Sequence, residues 1–366
     1  MTVPAFLRAD LSASPQARPA EPAPVRLAHN ELPFPPLPSV VAALRQALTD
    51  AHRYPDPAAT RLGRRLGELL GVPESDVVVG PGSAVLLQHL VQATCTPADA
   101  VLFGWPSFEA YPFVADVLGV GRRAVALDAT GGHDLDRMLD AVTPATRLLI
   151  ICNPNNPTGA VVARQRIAEL VDAVPDHVLV VLDEAYREFS PAVDGVAVLR
   201  AARRANVAVL RTFSKAYGLA GLRVGYCIAP GPVAAALRKV TLPFTVTAAA
   251  QLAALASLDA GDELAGRVRE VVTERERVRA ALESMGRPCP PSHGNFLWLP
   301  SVPDADAFAA HCASAGVHVR AVPGEGVRVT VGGVGDNEAF LRAAASFPGG
   351  WHRSGAASDR TAWRED

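Results

Sequence analysis

The feature that most constrains this fold is a regular alternation of short apolar runs with segments of helical spacing. The runs are rich in Val, Leu and Ile, as is typical of strands covered on both faces. They lie at 76–79, 100–103, 123–127, 147–152, 178–182 and 208–212. Helical segments such as 108–118 and 164–173 separate them. This order predicts an α/β fold with a mostly parallel sheet.

The pattern changes after residue 245, and a chain of 366 residues is long enough for two domains. Long helices are predicted at 248–258 and 262–285. Three strands (295–299, 317–321, 326–331) and a closing helix (336–345) follow, which indicates a smaller α+β domain. The predicted divisions are a loose arm (1–24), a segment packing with the small domain (25–50), a large domain (51–245), a small domain (246–348) and a disordered tail (349–366).

Composition removes several classes of function. A formal net charge of −2 gives no reason to expect nucleic acid or an anionic membrane as partner. The longest apolar runs are too short to cross a bilayer, and no zinc pattern is present. Five cysteines without a CxxC pair favour a reducing compartment. The first residues lack the pattern of a signal peptide, so we expect a cytoplasmic protein that holds no metal.

Only two lysines occur in the whole chain, Lys215 and Lys239. Lys215 follows a predicted strand, has Thr212 and Ser214 beside it, and precedes Arg223 by eight residues. A lysine that forms a Schiff base must be partly desolvated, and two hydroxyls with an arginine fork can hold a phosphate. The alternative is a surface lysine beside a helix start. Lys239 has a charged neighbour and is expected to be solvated.

Polar side chains also follow two other predicted strands. Asp183 stands at a carboxyl end, where open α/β sheets bind ligands, and a carboxylate there can pair with a pyridine nitrogen. Tyr186 can reach a ring hydroxyl, and the stiff loop 153–159 can aim the Asn156 amide. An acid at a strand end is also common as a helix cap.

Three further features are weaker when taken singly. The turn 80–83 leads into a helix whose free N–H groups favour phosphate. Phe108 can stack on a flat ring or belong to the core. Arg328, in a strand of the smaller domain, can point into a cleft as a carboxylate fork or lie exposed, and Arg320 raises the same question.

Together these residues resemble the fold-type I aminotransferases that depend on pyridoxal phosphate. The likeness covers roughly 25–345 and rests on the order of the motifs. These are the glycine turn, the aromatic stacker, Asn-Asn-Pro-Thr-Gly, Asp-Glu-Ala-Tyr, Ser-Lys, Arg and a late Arg-Val-Thr-Val strand. The branch it resembles is that of the histidinol-phosphate aminotransferases. Within it, 104–109, 211–223 and 243–246 look most similar to actinobacterial aromatic amino acid aminotransferases.

The resemblance implies a role for each matching position. Lys215 carries the cofactor as a Schiff base and moves the proton, Asp183 holds the pyridinium, and Tyr186 bonds the ring hydroxyl. The other implied cofactor-binding residues are Asn156 at the ring hydroxyl, Phe108 on the ring, Ser83, Ala84, Thr212, Ser214 and Arg223 at the phosphate, and Tyr54 from a neighbouring subunit. Arg328 and Asn30 are the implied substrate-binding residues. The role of Tyr54 requires a homodimer.

Two departures from the family pattern bear on the substrate. The arm reads Asn-Glu-Leu-Pro at 30–33 where the family has Asn-Glu-Asn-Pro, and 83–85 is less polar than usual. Both favour an aromatic amino acid, with 2-oxoglutarate as acceptor in a ping-pong reaction. Histidinol phosphate is the alternative donor. A decarboxylase on the same cofactor and a non-catalytic binding protein are also open.

Overall fold

The large sheet and its helices account for most of the computed structural model, which describes residues 24–202, 205–300, 302 and 304–348. The predicted arm (apart from Pro24) and the predicted tail lie outside these residues. The strands are β1 Val25–Arg26, β2 Val77–Gly80, β3 Ala100–Trp105, β4 Gly121–Ala126, β5 Thr146–Cys152, β6 Leu179–Asp183, β7 Val207–Thr212, β8 Gly225–Ile228, β9 Phe296–Leu299, β10 Val317–His318, β11 Arg320–Val322 and β12 Gly326–Thr330.

Helices cover the strands. They are α1 Pro38–Thr49, α2 Thr60–Leu70, α3 Ser83–Thr94, α4 Ala110–Leu118, α5 Leu135–Asp140, α6 Arg164–Ala173, α7 Gly195–Ala201, α8 Gly231–Val240, α9 Ala248–Asp259, α10 Gly261–Ser284, α11 Ala305–Ser314 and α12 Val334–Ser346. Short 3-10 turns lie at Glu74–Asp76, Arg187–Phe189 and Ala220–Leu222.

Seven strands form the large sheet in the order β2-β8-β7-β6-β5-β3-β4. Strand β8 runs in the opposite direction to the other six strands of this sheet. The predicted α/β fold with a mostly parallel sheet is therefore confirmed. Register places Cys152, the last residue of β5, beside Asp183 at the end of β6. The neighbouring β7 ends at Thr212. The carboxyl ends of three strands therefore meet at one edge, where ligands bind in open sheets.

Both faces of this sheet are buried. Alternate residues of β6 enter different apolar clusters: Val180 and Leu182 join one, and Leu179 and Val181 join the other. The period of two in side-chain direction thus explains why the strands read as continuous apolar runs. The first cluster also includes residues of α9, and the domain boundaries drawn from the sequence stay predictions.

A smaller sheet supplies the other side of the site. It is antiparallel in the order β11-β12-β9, while β1 pairs in parallel with β10. The single strand expected at 317–321 is wrong in detail, because its two halves have different partners, β1 and β12. The short N-terminal strand β1 thereby holds the segment that follows it beside β12.

Candidate active site

A cavity of about 320 Å³ lies at the carboxyl ends of the central strands. One wall comes from the large sheet and the other from β11 and β12. All the site residues predicted from the sequence line it except Tyr54 and Asn30. Residues that are far apart in the sequence, from Ser83 to Arg328, therefore meet at one edge of the fold.

Lys215 is one of the residues that line this cavity. Its Nζ donates a hydrogen bond to the backbone carbonyl of His29 (2.8 Å) and lies 5.9 Å from the centroid of the Tyr186 ring. Burial, with the positive charges of Arg328 and Arg223, lowers the pKa of Lys215 to about 7, against the opposing effect of Glu31. An amine with that pKa is about half neutral at pH 7, and the neutral form is the nucleophile.

Four residues that line the cavity form an anion cradle, which we define as Ser83, Thr212, Ser214 and Arg223. The Arg223 Nη1 donates to Ser214 Oγ (3.1 Å), and Thr212 Oγ1 donates to the same oxygen (3.0 Å). Helix α3 begins at Ser83 without a side-chain cap, so its first N–H groups are free for an anion. The cradle has the donors and the charge that a phosphate requires.

Gly82 makes the cradle possible. Its backbone angles are φ 94° and ψ 153°, a region that is essentially restricted to glycine. A Cβ built on Gly82 would lie 2.5 Å from Arg223 Nη2. The second glycine of the 80–83 turn is therefore required both by its backbone conformation and by the close approach of the arginine.

Asp183 is a buried acidic residue that lines the same cavity. The residue is 4% exposed, and its Oδ2 accepts a hydrogen bond from the Tyr111 hydroxyl (2.9 Å). Its Oδ1 has no partner among the residues that the structure describes. Burial raises the pKa of Asp183 to about 6, although the Tyr111 hydroxyl lowers it. A buried carboxylate with one unused oxygen is suited to a positively charged N–H donor.

The segment after β1 holds other residues of the cavity wall in place through hydrogen bonds. The Tyr186 hydroxyl accepts from Asn30 Nδ2 (2.9 Å), and Asn30 Oδ1 accepts from Thr330 (3.0 Å). Arg328 donates from Nη1 to Asn156 Oδ1 and from Nη2 to the Ala28 carbonyl (2.6 Å). Asn30 thus lies behind the cavity wall, where it orients Tyr186.

The mouth of the cavity carries an ion pair that the sequence did not indicate. Arg320 binds both carboxylate oxygens of Glu109, with Nη2–Oε distances of 2.6 and 2.7 Å. The two residues are 211 positions apart, so no local pattern could have revealed the pair. His29, Phe108 and Val322 lie around it.

Tyr54 is placed away from the cavity. Its side chain is 85% exposed, and its ring lies 4.8 Å from that of Phe244. The hydroxyl therefore does not belong to the anion cradle of its own subunit. Its predicted role depends on a second copy of the chain.

The residues present fit pyridoxal phosphate. The cradle suits the phosphate, Asp183 suits a pyridine N–H, Phe108 lies along the cavity, and Lys215 suits the aldehyde. No group of three or more potential metal ligands among His, Cys, Asp and Glu occurs in the described ranges. Within the same ranges, no helix is both long and apolar enough to span a membrane.

The fold and the site define an aminotransferase. Residues 22–347 match the sequence model of the family "Aminotransferase class I and II". The match covers far more than half of the chain, and the chain belongs to this family. The predictions of fold and enzyme class are therefore confirmed.

Particular relatives narrow the branch within the family. The chain is 51% identical over 350 residues to an aromatic amino acid aminotransferase of Streptomyces avermitilis, and this alignment covers 93% of this chain and 97% of that protein. It is 50% identical over 349 residues to one of Nocardia farcinica, with the same coverage. A crystal structure of histidinol-phosphate aminotransferase from Sinorhizobium meliloti with pyridoxal-5'-phosphate is similar at a TM-score of 0.86 and 26% identity, covering 94% and 98%.

Proposed function

We propose that this aminotransferase uses pyridoxal 5'-phosphate to move the amino group of an aromatic L-amino acid, phenylalanine or tyrosine, to 2-oxoglutarate. The observation that carries the proposal is the placement of Lys215. Its amine, with a pKa lowered to about 7, lines one cavity with the anion cradle and with Asp183. A phosphorylated pyridine aldehyde matches these three features together.

Pyridoxal phosphate, when bound, supplies an electron-withdrawing ring that stabilises negative charge at the substrate Cα. The chain supplies the rest. Lys215 would take the proton from the substrate Cα and deliver it to C4′ of the cofactor, since an amine with a pKa near 7 can both accept and release a proton at neutral pH. Asp183 keeps the ring nitrogen protonated. Arg328 binds the α-carboxylate of the substrate. To do so, its Nη2 has to give up the hydrogen bond to the Ala28 carbonyl and donate to a substrate oxygen.

The substrate assignment rests on two supports. The first is the name and high identity of the relatives from Streptomyces and Nocardia. The second is the cavity mouth, where Phe108 and Val322 offer apolar contact and Arg320 is already neutralised by Glu109. An aromatic side chain leaves that ion pair intact, while the distal carboxylate of 2-oxoglutarate can replace the Glu109 carboxylate one for one. Both substrates thus suit the same mouth.

Histidinol phosphate is the second candidate, because the structurally similar Sinorhizobium meliloti protein is named for it. Its phosphate carries nearly two negative charges at neutral pH. This phosphate stands where an amino acid has its α-carboxylate, so it would bind at Arg328 and not at the cavity mouth. The preference for an aromatic amino acid over histidinol phosphate therefore rests on the relatives from Streptomyces and Nocardia.

A homodimer and a cytoplasmic location belong to the same proposal. Tyr54 is exposed and lies next to Phe244, so in a dimer the Tyr54 of one subunit reaches the anion cradle of the other. All five cysteines are free, which suits a reducing compartment.

The presence of only two lysines allows a sharp test of the cofactor site. The protein is loaded with pyridoxal phosphate, reduced with borohydride and digested, and the modified peptide is identified by mass spectrometry. We expect the label on Lys215 and none on Lys239. Lys215→Ala should lose the visible absorbance and all transamination, whereas Lys239→Ala is the matched control and should keep both. Label on Lys239 alone contradicts the proposal.

The substrate is tested by single turnover. Phenylalanine and histidinol phosphate are added separately to the loaded enzyme without an oxo acid, and the visible absorbance is followed. Fast conversion by phenylalanine, reversed by 2-oxoglutarate, supports the proposal. Conversion by histidinol phosphate alone replaces it with the second candidate.

A further inference from the structure

Tyr111 is a buried tyrosine for which the reaction outlined above has no use. It lies in the first turn of α4 and is 1% exposed. Its ring packs against Phe103 (5.8 Å between centroids) and meets Phe108 edge-on (5.7 Å, 86°). Tyr111 is not among the residues that line the cavity, so any effect on a bound cofactor has to pass through a neighbour.

That neighbour is Asp183. The Tyr111 hydroxyl donates to Asp183 Oδ2 at 2.9 Å, while Oδ1 has no partner among the described residues. Rotation about the last bond of an aspartate is broad and weakly restrained by its own rotamer. A hydrogen bond from a rigid, packed phenol, together with the backbone N–H of Ala185, therefore restrains which oxygen is held back and which one remains available to the cavity.

We propose that Tyr111 is a positioning residue, whose hydroxyl fixes the Asp183 carboxylate so that Oδ1 is presented to the ring nitrogen of the cofactor. The inference rests on the proposed function, because it needs a pyridine ring in the cavity. It assigns no direct contact between Tyr111 and either cofactor or substrate.

The electrostatic setting of Asp183 supports this role. Burial raises the pKa of Asp183, and the hydroxyl of Tyr111 and the backbone N–H of Ala185 oppose that rise. The titratable groups around the carboxylate are Glu184, which raises its pKa further, Cys152 of β5 and Tyr186. Without the hydroxyl, the carboxylate takes up a proton at a higher pH. A protonated Asp183 cannot hold a protonated ring nitrogen.

The test compares Tyr111→Phe with the wild type by the Kd of the cofactor-free protein for pyridoxal phosphate, measured by equilibrium dialysis across a pH series. We expect binding about 10-fold weaker near pH 7, since a hydrogen bond to a charged group is lost, and an acid-side loss of binding that begins at higher pH. Tyr226→Phe is the matched control, because Tyr226 is equally buried but lies on β8 away from the cavity. Its Kd should change less than about twofold.

A double-mutant cycle separates positioning from general damage. In an Asp183→Asn background, Tyr111→Phe should change the Kd by less than about twofold, because its effect requires the carboxylate. An equal factor in both backgrounds, or an unchanged Kd and pH profile in the single variant, overturns the inference. A wild-type protein that does not bind pyridoxal phosphate contradicts the proposed function instead. Circular dichroism and thermal melting of each variant show that the compared proteins are folded.

Discussion

Replacing Gly82 by alanine tests the anion cradle most directly. Gly82 has φ 94° and ψ 153°, where any other residue costs about 1–3 kcal/mol. The added Cβ would lie 2.5 Å from Arg223 Nη2, so the guanidinium has to move away from the phosphate. The loss of a charge-assisted hydrogen bond costs about 1.5–3 kcal/mol. At about 1.4 kcal/mol for each tenfold change, the Kd for pyridoxal phosphate should rise about 10- to 100-fold.

The assay uses two ligands that share a ring and an aldehyde. Gly82→Ala should weaken pyridoxal phosphate strongly and pyridoxal, which lacks the phosphate, very little. Gly63→Ala in α2 is the control, since its Cβ meets nothing within 4 Å and alanine favours a helix by about 0.5–1 kcal/mol. If Gly82→Ala weakens both ligands by the same factor, the cradle does not act on the phosphate.

Three further predictions concern charge. Glu109→Gln frees Arg320 at the mouth, so the KM for 2-oxoglutarate should fall with little change in the KM for phenylalanine. Unchanged constants in steady-state assays contradict this. Glu184→Gln leaves the buried Arg211 without its 2.8 Å partner, so the free energy of unfolding, measured with urea, should fall by about 3–5 kcal/mol. The exposed Glu169→Gln is the control and should lower the free energy of unfolding by at most about 1 kcal/mol. Because burial lowers the pKa of Lys215 to about 7 and the neutral form is the nucleophile, stopped-flow capture of pyridoxal phosphate by the cofactor-free protein should accelerate as pH rises through about 7 and then level off. A rise only near pH 10 refutes the lowered pKa.

The sequence predicted those parts of the site that follow strands. Lys215 and Asp183 could be found because each polar side chain comes directly after a buried apolar run, and parallel strands end at a common edge. Helix 164–173 was predicted with the bounds that α6 has. In such places the local pattern and the tertiary environment demand the same residues.

Other parts depend on partners that are distant in the sequence. Strand β8 was not predicted, because its residues, Gly-Tyr-Cys-Ile, lack the continuous run of Val, Leu and Ile by which the other strands of the large sheet were found. The hydrogen bond from Tyr111 to Asp183 spans 72 positions, and Tyr111 looks like an ordinary helix residue in the sequence. Asn30 was predicted to bind substrate, and it is not among the residues that line the cavity. The roles of the individual residues stay predictions.

The segment after β1 has a consequence for how tightly substrates are held. Two consecutive carbonyls, those of Ala28 and His29, occupy Arg328 and the Lys215 amine. The cofactor therefore displaces the His29 carbonyl and the substrate carboxylate displaces the Ala28 carbonyl, so that each hydrogen bond gained is offset by one that is broken. Such an exchange keeps the binding of the substrate in the ground state weak, which leaves more of the interaction energy for the transition state. An enzyme that must release one product before it accepts the next reactant benefits from that balance at both half-reactions.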